Sequence, residues 1–159
     1  MTVENLTAAG VERMDTAEIE AFLSNQGLGV LGLDAGPVPY LLPMSFGYGD
    51  GALYFTFLLN GESRKQTLAA DADGAAFLVY DATTPFQWQS VVLTGTIERL
   101  PADEWDDFAG VMDNAWRPDV FETAESTDVA VYRFAIDTQE GYKHSGLPAG
   151  FERPVGGGA

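Results

Sequence analysis

Arg64 and Lys65 stand side by side in a chain with only eight basic residues among 159. They lie in the run Asn60-Gly61-Glu62-Ser63-Arg64-Lys65-Gln66, where Ser63 and Gln66 have the spacing of a capping box. The run therefore predicts the start of a short helix continuing through Leu68 to Ala70, with both cations in its first turn. Cations there oppose the helix macrodipole by some tenths of a kcal/mol. The arrangement makes better sense when an anion rests on the exposed backbone N–H groups, and a phosphate would suit the amides and both side chains together. The competing reading is of two solvated surface cations pairing with Glu62 or Asp71.

Other chemistries find less support. The chain has no cysteine, which excludes disulfides, thiolate metal sites and thiol nucleophiles. His144 is the only histidine, so neither a multi-imidazole metal site nor a Ser-His-Asp triad is expected, and a surface position is the favoured reading for it. The acidic pairs Asp71/Asp73, Asp103/Glu104 and Asp106/Asp107 sit among many other carboxylates and read as solvated faces. Gly47-Tyr48-Gly49-Asp50-Gly51 is glycine-rich but lies between two predicted strands and opens no helix, so it reads as a hairpin turn and not as a dinucleotide fingerprint. No catalytic side chain is singled out, and any redox chemistry would have to be borrowed from a cofactor.

The elements that must position Arg64 and Lys65 are mostly strands. Asp15-Thr16-Ala17-Glu18 has capping-box spacing, Ile19, Phe22 and Leu23 form an apolar stripe, and Gly27 is placed to stop this first helix. From Leu28 the period changes. Leu28 to Leu33 and Val38 to Tyr48 read as strands joined by a turn at Asp34-Ala35-Gly36-Pro37, and Gly49-Asp50-Gly51 makes a second tight turn. Leu53, Phe55 and Phe57 alternate with Tyr54 and Thr56 on a third strand. Ala75 to Tyr80, Gln87 to Arg99 and Val129 to Ile136 supply three more. Pro101 opens a further helix carrying Trp105, Phe108, Met112 and Trp116 on one stripe. Six strands following one another through tight turns predict a mostly β fold, an antiparallel barrel closed to remove its edges, with a few flanking helices. Residues 1–14 are expected to be a flexible N-terminal segment, 15–150 a single domain and 151–159 a disordered tail.

These residues resemble the pyridoxamine-phosphate-oxidase-like, FMN-binding split-barrel family, over roughly Leu28 to Arg99. Pro39-Tyr40-Leu41-Leu42-Pro43-Met44-Ser45-Phe46 and Leu53-Tyr54-Phe55-Thr56 look like its second and third strands, and Ser63-Arg64-Lys65 looks like its phosphate-binding turn. Ser90 to Glu98 is similar to the strand that ends the family's core. The resemblance implies a six-stranded Greek-key split barrel and an FMN-dependent oxidoreductase acting on a small molecule. Arg64 and Lys65 would hold the phosphate above a Ser63 cap, Phe55 and Thr56 would line the ribityl chain or ring, and backbone groups of Pro43, Met44 and Ser45 would meet the isoalloxazine. It also implies a homodimer with flavin between subunits, to which Trp88 and Tyr142-Lys143-His144 would reach. Ser90 stands near a position where pyridoxamine phosphate oxidases carry glutamine, and three extra residues separate Thr56 from Ser63. These departures weigh against vitamin B6 oxidation, and the proline-rich second strand most resembles the branch with nitroimidazole-reductase-like and flavin-reductase-like members. The same barrel could instead serve as a binding module for a deazaflavin or for haem on His144.

Twenty-four acidic residues against eight basic ones give a formal net charge of −16. That charge excludes nucleic acid as a natural partner and reads as adaptation to a salty, haloarchaeal-type cytoplasm, where screening relieves self-repulsion. The N-terminus carries Glu4, Glu12 and Asp15 rather than a basic and then apolar leader, and no run approaches a membrane span, so a soluble cytoplasmic protein is expected. Folding stability should rise as salt goes from dilute to about 1 M, where the Debye length has shrunk to about 3 Å. Urea unfolding midpoints across that range check this, and a flat response would refute the salt-adapted reading.

Overall fold

The computed structural model describes residues 10–58, 64–105 and 129–146. Among these the chain forms eight strands in one antiparallel sheet, flanked by two helices. The fold is the mostly β barrel that the alternation predicts, in the split-barrel form that the resemblance implies, with two more strands than the pattern shows.

Helix α1 (Thr16–Asn25) starts at the predicted capping box: Asp15 accepts from the Glu18 N–H at 2.8 Å, and Glu18 accepts from the Asp15 N–H at 2.9 Å. Its stripe of Ile19, Phe22 and Leu23 is buried. The helix stops before Gly27, at an extended Gln26, and the Gly27 carbonyl instead accepts from the Phe46 N–H at 3.0 Å. Strand β1 (Val11–Arg13) lies inside the stretch expected to be flexible, and pairs with the C-terminal end of the last strand. The glycine tail and most of the helix expected after Pro101 lie outside the described residues; its first residues, Ala102–Glu104, form one 3-10 turn.

Strand β2 (Leu28–Leu33) and strand β3 (Tyr40–Ser45) form a hairpin. Its turn is held by Asp34, whose carboxylate accepts from the Gly36 N–H at 3.1 Å. The sequence predicts one strand from Val38 to Tyr48, but the chain bends at Phe46. Tyr40–Ser45 pairs with β2, whereas strand β4 (Gly47–Gly49) pairs with strand β5 (Ala52–Leu58). The β4–β5 turn is Asp50-Gly51, both at positive φ, as a two-residue hairpin of this hand requires.

Helix α2 (Arg64–Asp71) precedes strand β6 (Ala75–Thr84), strand β7 (Gln87–Leu100) and strand β8 (Val129–Ser145). The order across the sheet is β3-β2-β6-β7-β8-β5-β4. Its two end strands are joined covalently through Phe46, so the sheet closes on itself. Inside, Phe77 meets Phe46 edge-on at 5.4 Å and stacks on Phe55 at 5.9 Å, with Phe134 at 6.1 Å.

Strand β8 runs well past the predicted Ile136 because β7 offers partners for all of it. The pairing slips by one residue at Thr94/Gly95, a β-bulge that inverts which residues of β8 point inward. Before the slip Ala130, Tyr132 and Phe134 are buried; after it Gly141 packs against Met14 and Ile19, while Tyr142 and His144 turn to the outer face. Gly95 is needed at the slip, since a Cβ there would stand 1.9 Å from the Ala135 carbonyl oxygen. Gly95→Ala should cost about 3 kcal/mol, at the upper end for overpacking. Gly74→Ala, whose Cβ would approach nothing closer than 3.7 Å, should change little. Equal urea midpoints for the two variants would contradict this account of the bulge.

Candidate functional site

The bend at Phe46 opens a seam in the barrel wall. Gly47, Tyr48 and Gly49 pair with Tyr54, Leu53 and Ala52, and that register, carried two residues further, would set Ser45 against Thr56. Instead β3 turns away to join β2, and no ladder pairs form between β3 and β5 among the described residues. Ser45 lies between buried Met44 and Phe46, and Thr56 between buried Phe55 and Phe57, so both side chains face outward at the mouth of this seam. The β3 main chain on the side away from β2 is left without a strand partner. Helix α2 follows in the chain from the end of β5 that carries Thr56, and Arg64 and Lys65 open it, as predicted.

A second feature covers the outer face beside the seam. Tyr80, Ser90 and Tyr142 stand opposite one another on β6, β7 and β8, and Leu78, Val92 and Glu140 form the next row. Leu28, Val30, Leu41 and Pro43 carry this face across β2 and β3. Leu28 is 64% exposed, Leu41 65%, Tyr80 59% and Val92 44%, an unusual concentration of bare apolar side chains on so acidic a chain. Trp88 and His144 face each other at the top of the same side, ring centres 6.3 Å apart. His144 is buried, contrary to the surface position expected of it. Its Nδ1 lies 2.7 Å from the Phe86 carbonyl, which can only accept, so Nδ1 carries the proton. The ring is caged by Phe86, Trp88 and Gly10. No local sequence pattern marks this, because Gly10, Phe86 and His144 come from three separate segments.

The proposed site residues fall into groups. Pro43, Met44, Ser45 and Thr56 meet at the seam, with Met44 pointing inward. Phe55 does not line a groove: it is wholly buried and stacked on Phe77, because strand alternation sends it inward when Thr56 points out. Ser63 lies outside the described residues. Ser90 and Trp88 are partly exposed on the outer face, and the Trp88 Nε1 donates to the Pro85 carbonyl at 3.2 Å. Tyr80 and Leu28 were not singled out from sequence, although the inward phase of Phe77 and Val79 already sends Tyr80 outward. Near Thr56 a further cation, Arg133, is occupied: it faces Glu98 at 3.6 Å and donates to the Tyr54 hydroxyl at 3.4 Å.

An ion pair ties α1 and β1 to the far end of β8. Lys143 on β8 donates to Glu18 of α1 and lies 3.9 Å from Glu12 of β1. The hydrogen bond from Lys143, with that from the Asp15 N–H, holds the Glu18 carboxyl below its usual range, and the bond to Glu18 holds the Lys143 ammonium above its own.

An eight-stranded antiparallel sheet closed through a bent strand, with an open seam beside the bend, defines the split-barrel class. Residues 15–143 match the family model described as pyridoxamine 5'-phosphate oxidase, and the chain belongs to that family. Solved structures agree on the fold. A FAD-binding protein from Mesorhizobium loti is 22% identical with a TM-score of 0.66, covering 85% of this chain and 99% of its own. The FAD and haem binding protein from Mycobacterium smegmatis is 20% identical with a TM-score of 0.68, covering 87% and 75%. A conserved hypothetical protein from Mycobacterium tuberculosis is 20% identical with a TM-score of 0.67, covering 95% and 96%. No curated protein matches the sequence. No helix among the described residues is long and apolar enough to cross a membrane.

The ion pair carries a pH dependence of definite sign. Glu18 has a lowered value in the fold, so its contribution is present above its ordinary 4.5 and is lost as pH falls through the folded value below that. Lys143 has a raised value, so its contribution is present below its ordinary 10.5 and is lost as pH rises beyond it. The difference in melting temperature between the parent and Lys143→Met should therefore be greatest between those limits and shrink on both sides. A difference constant across the acid limb would rule out the pair as its source.

Proposed function

We propose that this protein binds FMN at the β3–β5 seam and works as a flavin-dependent oxidoreductase on a small molecule, as a homodimer in a salty cytoplasm. The observation that carries the reading is the β3–β5 seam, where Ser45 and Thr56 face outward beside a β3 edge that has no strand partner, with the helix that Arg64 and Lys65 open following in the chain from β5. Each suits a different part of one ligand. The cations and helix N–H groups suit a phosphate, the hydroxyls suit a polyol chain, and the edge of β3 that has no strand partner, along Pro43 to Ser45, suits the hydrogen-bonding edge of a flavin ring. Phe55 serves from beneath by filling the core and holding the strand that carries Thr56. When bound, the flavin would supply hydride and electron transfer, and the protein would supply position and electrostatics. Family membership and FAD-binding structural relatives support a flavin, and the Arg64-Lys65 pair favours its mononucleotide form.

The bare outer face of Leu28, Leu41, Tyr80 and Val92 supports the dimer. Packing it against a second copy would remove apolar area from water at roughly 25 cal/mol per Å². It would also bring Trp88, Ser90 and Tyr142 of one subunit toward the seam of the other. Haem on His144 is less well supported: Gly10 lies so close over the ring that a Cβ there would stand 3.1 Å from Nε2.

The absorbance spectrum of protein purified in high salt, before and after adding FMN and desalting, tests this reading. Retained flavin bands are expected. Arg64→Ala combined with Lys65→Ala should weaken FMN by about 2 to 4 kcal/mol, the loss of two charge-assisted contacts. A folded protein that retains no flavin, or a double variant that binds FMN as well as the parent, would send the cofactor assignment to a deazaflavin or elsewhere.

A further inference from the structure

Although 20% of the chain is charged, the outer face of the sheet carries none of that charge across four strands. The rows that run from Leu41 to Thr94 and from Pro43 to Val92 across β3, β2, β6 and β7 hold no charged residue, and Leu28, Tyr80 and Ser90 beyond them add none. The first charge met along the second row is Glu140 on β8, and Arg13 faces it at 3.7 Å. The excess of 16 negative charges therefore lies around this face and not on it. Two opposed forces act when two copies meet there. The bare apolar side chains favour contact, while the acidic surroundings of the two copies repel. That repulsion reaches about 30 Å at 0.01 M salt, about 10 Å at 0.1 M and about 3 Å at 1 M. Salt thus removes the opposing force and leaves the attraction. A second copy suits the face better than other partners do. An anionic membrane would meet the same repulsion, with Arg13 at the rim already taken by Glu140, and a basic partner would find no carboxylate on the face to pair with.

We propose that ionic strength gates the pairing of two copies through this face, with folded monomers in dilute salt and dimers in concentrated salt. The inference rests on the dimer proposed above and not on its flavin. Any ligand that takes groups from both copies is then held in concentrated salt and released on dilution, because its binding and the pairing are linked.

Sedimentation equilibrium of the full chain without flavin tests this, in potassium chloride from the lowest concentration at which circular dichroism shows the folded chain. The dimer Kd should fall at least about tenfold for a tenfold rise in salt. A dimer whose Kd does not change with salt overturns this inference alone, whereas a monomer at every salt overturns it together with the dimer. Leu41→Glu, at a position 65% exposed, should fold and stay monomeric in about 1 M salt, since it sets two carboxylates into the contact. Ala70→Glu, which adds the same charge at an exposed position of α2, should pair as the parent does. Melting curves establish that both variants fold. Pairing by Leu41→Glu as tight as the parent's, or an equal loss in Ala70→Glu, would place the contact elsewhere and overturn the proposal.

Discussion

Phe46 sets the shape of this barrel. Its ring is wholly buried against Phe77, its N–H is held by Gly27, and the chain must turn there from pairing with β2 to pairing with β5. Because the strands on either side of the turn are the two ends of the sheet, one bend both closes the barrel and leaves a seam beside itself. A straight strand from Tyr40 to Gly49 would have zipped Ser45 onto Thr56 and removed the opening. The proposed cofactor site is a by-product of how the sheet disposes of its edges.

A second constraint acts at the far end of β8. The bulge at Gly95 exchanges the faces of that strand, so Tyr142 and His144 come to the outer side and Gly141 and Lys143 to the inner one. Lys143 can then reach Glu18 of α1, and Gly141 leaves room for Met14 and Ile19. The packing of α1 and the outward placement of Tyr142 thus follow from a single extra residue in one ladder. The family's fold leaves such placements open to variation, which is why a site must be argued from side chains and not from the barrel.

The charge pattern divides along the same lines. Carboxylates crowd most of the surface, yet the face across β3, β2, β6 and β7 is apolar and neutral from Leu41 to Val92.

Much of this was legible locally. The capping box at Asp15, the Asp50-Gly51 turn, the alternation of Leu53 to Phe57 and the helix opening at Arg64 each depend on residues a few positions apart, where short-range sterics and hydrogen bonds decide the outcome. The same alternation already sent Phe55 inward, against the role that family resemblance assigned to it. What tertiary structure decided depends on partners distant in the chain. The break at Phe46 needs both β2 and β5, the length of β8 needs β7 and β1, and the burial of His144 needs Gly10 and Phe86. None of these leaves a periodic mark, because a strand's own pattern says which residues share a face, while only its neighbours determine where that face lies and what it meets.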